Sequence, residues 1–238
     1  MAGMTYPSRP RRVAVPSMLP PEMAATVESL SRRRAIAVVV ILIVNILVLV
    51  AMMVTDPKLS IETLKHFGAK ANDEIAQGQV WRLVTCIFLH IGFLHLLFNS
   101  LALWSFGRDL EKLYGSGKFV LIYLLSGIAG SGASYFLAPH AVSAGASGAI
   151  FGLIGLSLVF GYRYRTAIPP QLKSRFGSGV LPVILYNMLI GLRPGSGIDV
   201  GAHVGGLVAG ILLGFVIPAS IRPGEDDFAA PPPPSYYT

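Results

Sequence analysis

The chain has 238 residues, 53% of them hydrophobic and only 13% charged, with a mean hydropathy of +0.62. A soluble domain of this size carries roughly a quarter charged residues, so the composition excludes an ordinary water-soluble globule and argues for a membrane protein. The net charge of +7 comes from short basic clusters between apolar runs, which read as topology signals and not as a nucleic-acid face. The single cysteine, Cys86, leaves no internal disulfide and no cysteine-based metal site.

Residues 1–34 form a mostly polar, basic tail, too long before the first apolar run to read as a secretory signal. Residues 35–54, AIAVVVILIVNILVLVAMMV, then supply the roughly 20 apolar residues that one membrane-crossing helix needs. The connection from 55 to about 92 is long and mixed. Its QVWRLVTCIFLH portion is apolar enough to lie at the membrane interface, with Trp81 at headgroup level. Further spans are predicted near 93–110, 118–137, 146–163, 178–193 and 201–219; the fifth is short and contains Pro182. Residues 221–238, which include PPPPSYYT, read as a Pro-rich tail. The expected fold class is an all-α, multi-pass membrane protein with a six-helix bundle over residues 35–220. Of the 19 Lys and Arg, 14 lie in the tails and in connections 2–3 and 4–5, so the positive-inside rule places both termini in the cytoplasm. The expected location is the cell (plasma or inner) membrane.

In this topology spans 2, 4 and 6 all enter from the outer face, and each carries a chemically capable residue near its start. His95 and Asn99 lie early in span 2, Ser147 opens span 4 and His203 opens span 6. Polar groups inside a membrane are costly and face the protein interior or a cavity. His95 and Asn99, at i and i+4, share a helix face. Gly148 and Gly152 on span 4, and Gly206, Gly210 and Gly214 on span 6, form small-residue faces that permit close helix approach. Such an approach would bring Ser147 to His203.

Taken singly, each residue has a plainer reading. Ser147 reads as a packing residue, His203 as a hydrogen-bonded core histidine, and His95 and Asn99 as interhelical hydrogen-bonding groups. Their coincidence of depth and chain order favours chemistry. A serine hydroxyl becomes a nucleophile when a base within reach takes its proton, and histidine is the usual base. Attack on a peptide carbonyl creates an oxyanion, and His95, Asn99 and backbone N–H groups around Ser147 could stabilise it. Gly145 would allow close backbone approach there. Metal chemistry finds no support: HExxH is absent, and the i, i+5 spacing of His90 and His95 points their rings apart.

GASGAIFG at 145–152, together with Trp81–Arg82, HIGFLHLLFN at 90–99, Glu111 and GAHVGGLVAG at 201–210, resembles the rhomboid intramembrane serine proteases over roughly residues 75–215. The resemblance implies a six-helix core that cleaves transmembrane proteins near the outer face with a Ser–His dyad and no metal or cofactor. Ser147 would be the nucleophile and His203 the general base. His95 and Asn99 would form the oxyanion hole, and Phe98, Gly145 and Phe151 would line the substrate cavity. Phe151 stands where some members carry a tyrosine stacked on the histidine, so His203 would be oriented by packing alone unless Asp199, four residues before it, helps; the plainer reading of Asp199 is a solvated loop acid. The implied partners are single-span transmembrane substrates and membrane lipid, with no nucleic acid. Two other functions compete. A non-proteolytic rhomboid-like chaperone would typically lack the serine or histidine present here. A transporter would place an acid or lysine deep in a span, and none is found.

Overall fold

The computed structural model describes residues 33–165 and 175–220. The expected tails at 1–34 and 221–238 therefore lie outside it, apart from Arg33 and Arg34. The described residues contain no strand; one isolated antiparallel bridge joins Lys70 to Ser143.

Helix α1 (Ile36–Thr55) buries Val38, Ile41, Asn45, Leu49 and Met52 at helical spacing and turns the remaining apolar side chains outward, as a helix in lipid does. It stops at Asp56, whose carboxylate accepts hydrogen bonds from Lys58 N–H, Ser60 N–H and the Thr63 hydroxyl. These donors hold the Asp56 carboxyl well below the usual carboxylate range. The connection is not a plain loop. It folds into three short helices, α2 (Ile61–His66), α3 (Asn72–Ala76) and α4 (Arg82–Thr85). Arg82 is buried and ties them together through Gln79, Lys65 O and Ala69 O, while Trp81 stays exposed.

The second apolar segment runs through α5 (Phe93–Ala102), a π turn (Leu103–Gly107) and α6 (Arg108–Tyr114), bent by 91° from the Arg82–Phe88 stretch before it. Then follow α7 (Ser116–Leu137), α8 (Ser147–Arg163), α9 (Leu181–Gly191) and α10 (Val200–Val216). All six apolar segments expected from the sequence are helical. Only α1 and α7 are individually long and apolar enough to cross a membrane, and the bent pair makes a third; α8, α9 and α10 are shorter apolar helices. At 1.5 Å per residue, the 17 residues of α8 span about 26 Å, slightly under a typical hydrocarbon core.

Buried contacts order the helix ends. Glu111, in α6, accepts hydrogen bonds from Ala37 N–H and Val38 N–H at 2.7 and 2.8 Å, so the start of α1 lies beside the end of the second segment. Ser220 donates to Tyr114 O, and Arg163 to Gly214 O and Phe215 O, which brings the ends of α8 and α10 to that same end of the bundle. Asp199, Ser134 and Ser143 meet at the other end.

Glu111 substitutes for a missing cap. Ala35, the N-cap of α1, has no side chain to offer, and the first N–H groups of a helix need acceptors. Glu111 is almost wholly buried and also accepts from the Ser116 hydroxyl. Replacing it by Ala should cost on the order of 3 kcal/mol, because two buried N–H groups lose a charged acceptor; thermal unfolding in detergent checks this.

Asn45 of α1 and Tyr123 of α7 are both buried, and neither the Asn45 Oδ1 nor the Tyr123 hydroxyl has a hydrogen-bond partner among the described residues. The tightest contacts are between α8 and α10. A Cβ on Gly206 would sit 1.9 Å from Gly148 O, and one on Gly210 would sit 1.8 Å from Gly152 O. Lipid offers little hydrophobic drive between helices, so such backbone-to-backbone contact supplies the van der Waals attraction instead.

Candidate active site

The α8–α10 contact places two of the expected residues. Ser147 is the first residue of α8, and His203 lies in the first turn of α10. Gly148, next to the serine, touches Ala202, next to the histidine: a Cβ on Gly148 would lie 3.3 Å from Ala202 O. Phe151, one turn along α8, stacks on the His203 ring with centroids 4.1 Å apart and planes 12° from parallel. His203 is buried, and its Nδ1 has no hydrogen-bond partner. The ring orientation is thus set by the aromatic face below it. Replacing Phe151 by Leu removes a contact worth about 0.5–1.5 kcal/mol and should slow turnover about two- to tenfold, read as kcat on a fixed substrate.

His95 meets the segment before Ser147 at Gly145. A Cβ on Gly145 would lie 2.7 Å from His95 Cε1, 3.0 Å from Nε2 and 3.8 Å from Ser147 Oγ. Gly145 also has φ of +144°, a region that side chains rarely adopt. The histidine ring and the serine hydroxyl thus converge on a backbone position open only to glycine. His95 Nδ1 accepts from Ile91 N–H at 3.3 Å, which leaves Nε2 on the Gly145 side. Asn99 is buried and its Nδ2 donates to His95 O at 2.9 Å, leaving its second amide proton uncommitted. No side chain caps the start of α8, so the first N–H groups of the helix are not consumed by a cap.

Phe98 is 65% exposed and does not line the small cavity of about 30 Å³ beside Ser147, which Gly145 does line. Phe151 lies under the histidine and outside that cavity.

The chain turns through Leu89–Gly92 between His90 and His95, so their rings are 5.2 Å apart and not separated as continuous-helix spacing implies. Even so, no group of three or more metal-binding side chains forms among the described residues. Sequence reasoning did not single out Lys70, Ser134 and Ser143, which cluster around Asp199 behind the serine. The only sequence cue was Asp199 standing four residues before His203.

A helical, apolar bundle in which the starts of α8 and α10 adjoin at one end defines a membrane protein. The rhomboid domain model matches residues 77–220, and the chain belongs to the rhomboid family as an integral membrane protein. It is 49% identical over 149 residues to rhomboid protease GluP of Bacillus subtilis (strain 168), covering 63% of this chain and 28% of that protein. It is 36% identical over 179 residues to RHOMBOID-like protein 5 of Arabidopsis thaliana, covering 70% and 57% respectively. It is also 36% identical over 170 residues to the mitochondrial RHOMBOID-like protein 6 of the same plant, covering 71% and 54%. The chain therefore spans between about a quarter and somewhat over half the length of these relatives.

Proposed function

We propose that this chain is an intramembrane serine endopeptidase that cleaves single-span transmembrane proteins near the outer face of the membrane. The observation that carries this reading is the glycine-mediated contact of α8 with α10, in which the neighbours of Ser147 touch Ala202 and His203 while His95 and the Ser147 hydroxyl converge on Gly145. Family membership and the resemblance to a named protease support it.

In this reading Ser147 Oγ attacks the scissile carbonyl carbon and His203 takes the hydroxyl proton. The carbonyl oxygen becomes an oxyanion, stabilised by His95, by the free amide proton of Asn99 and by N–H groups at the start of α8. The C–N bond then breaks, and the proton on His203 passes to the departing amine. Water attacks the acyl carbon and gives a proton to His203; the bond from that carbon to Oγ then breaks, His203 returns the proton to Ser147 Oγ, and the acid is released. Phe98 would meet the substrate, Gly145 would leave room for it, and Phe151 would steady the base. No cofactor or metal has a part in these steps.

The same proposal gives residues 35–220 six spans, with the flanking segments 1–34 and 221–238 on the cytoplasmic side of a plasma or inner membrane. Reaction of the folded protein in detergent with a fluorophosphonate probe tests the nucleophile. A single adduct is expected, and peptide mass mapping should place it on Ser147. Folded wild-type protein that takes no label, or takes it elsewhere, would support the non-proteolytic chaperone instead.

A further inference from the structure

Once nucleophile, base and oxyanion donors are assigned, a cluster of partly buried polar groups near Ser147 is left without a role. Its centre is Asp199, the N-cap of α10. Oδ1 accepts from Ala202 N–H at 2.9 Å. Oδ2 accepts from two hydroxyls, that of Ser134 near the end of α7 and that of Ser143 in the segment leading to α8. The carboxylate does not touch the His203 imidazole, whose Nδ1 is partnerless. The two residues are joined by the backbone bond from His203 N–H to Asp199 O, at 3.1 Å. A serine–histidine–carboxylate triad is therefore not the arrangement here.

Ser143 is held twice. Its hydroxyl goes to Asp199, and its backbone pairs with Lys70 through bonds of 2.9 and 3.0 Å. Lys70 is fully buried and donates its ammonium to Ala138 O at 2.7 Å and Ala141 O at 3.1 Å. The segment between α7 and α8 is thus pinned near its start by Lys70 and in its second half by Asp199. Gly145 N–H then bonds Cys86 O at 2.9 Å, and two residues later the chain reaches Ser147. Ser134 shares the carboxylate, and its hydroxyl lies 3.3 Å from that of Ser143, but it belongs to α7 and not to the segment that leads to Ser147.

We propose that Asp199 is a positioning residue for the reaction: by fixing Ser143 it holds Ala144–Ala146, and so keeps Ser147 and the α8 N–H groups in register with His95 and His203. The inference rests on the protease reading of Ser147. Its logic is geometric. A loop of three residues between anchor and nucleophile transmits small displacements, and about 1 Å at a reacting atom costs on the order of a hundredfold in rate.

The test uses the full chain in proteoliposomes with a transmembrane substrate, measuring kcat, KM and thermal unfolding. Ser143→Ala should lower kcat by about tenfold or more, with KM and unfolding temperature nearly unchanged. Ser143→Thr restores the hydroxyl and should recover most of that loss, while Ser134→Ala, which leaves the bond from the Ser143 hydroxyl to Asp199 in place, should stay within about threefold of wild type. Asp199→Ala should lose as much as Ser143→Ala, and combining the two should cost little more, because one clamp is removed once. Asp199→Asn, whose amide can still bond the Ser143 hydroxyl, should remain within about tenfold, whereas asparagine in place of a triad carboxylate costs about 10⁴.

Wild-type kcat in Ser143→Ala, or a triad-sized loss in Asp199→Asn, overturns the proposal. So do equal losses in Ser134→Ala and Ser143→Ala that track unfolding temperature. If Asp199→Ala does not fold, the Ser143→Ala and Ser143→Thr pair decides alone. Failure of the protease reading is separately visible, as cleavage that survives Ser147→Ala.

Discussion

Ser147→Ala and His203→Ala should each reduce cleavage of a reconstituted transmembrane substrate by at least about 10³-fold, and the double variant should be no slower than the worse single one. Residues that act as a unit are strongly non-additive, because removing either leaves the other with nothing to do. Both variants should stay folded. Serine to alanine at a half-buried helix start deletes one oxygen, and His203 already stands with its Nδ1 unbonded. Binding of substrate should change little, since neither group is asked to hold it before attack. Cleavage kinetics with substrate titration separate the two effects. Additive losses would indicate that the residues work at different steps and would overturn the dyad.

The second large effect belongs to the helix interface. Gly206→Ala adds a Cβ at 1.9 Å from Gly148 O, and heavy atoms do not approach a Cβ closer than about 3.0 Å. Helices α8 and α10 must then separate by more than about 1 Å beside Ser147 and His203, enough to cost on the order of a hundredfold in kcat. Overpacking should also lower stability by about 1–3 kcal/mol.

A matched control lies at the other end of α8. A Cβ on Gly161 would meet Gly177 N at 1.9 Å, an equal clash about 21 Å along the helix from Ser147. Gly161→Ala should therefore destabilise comparably and lose much less activity. Equal losses of kcat in the two variants would mean that the effect is global and not a matter of the dyad's spacing.

The apolar segments were legible because a bilayer demands long uninterrupted apolar runs, and the glycines on spans 4 and 6 announced their contact through their four-residue spacing. The structure pairs Gly148 with Gly206 and Gly152 with Gly210, as that spacing suggests. What stayed hidden depends on distant partners. Lys70 reads as a solvated loop lysine until the carbonyls of Ala138 and Ala141 close over it. Asp199 reads as a solvated loop acid until two serines from elsewhere in the chain bond it. His90 and His95 look opposed under a helical rule that fails because the chain is not helical between them. Periodicity reports which face of an element is apolar, and it does not report which loop folds back onto that face.

The π turn at Leu103–Gly107 sits between two tasks on one segment: His95 and Asn99 at one end, and the Glu111 cap of α1 at the other. A π turn carries a surplus residue relative to α-helical pitch. Deleting one residue within it would rotate everything beyond by about 100° and draw it back about 1.5 Å. Glu111 would then swing away from the N–H groups of Ala37 and Val38 while His95 stayed in place. The turn thus acts as a phase offset, letting one segment present differently oriented faces to the reaction site and to the opposite rim of the bundle.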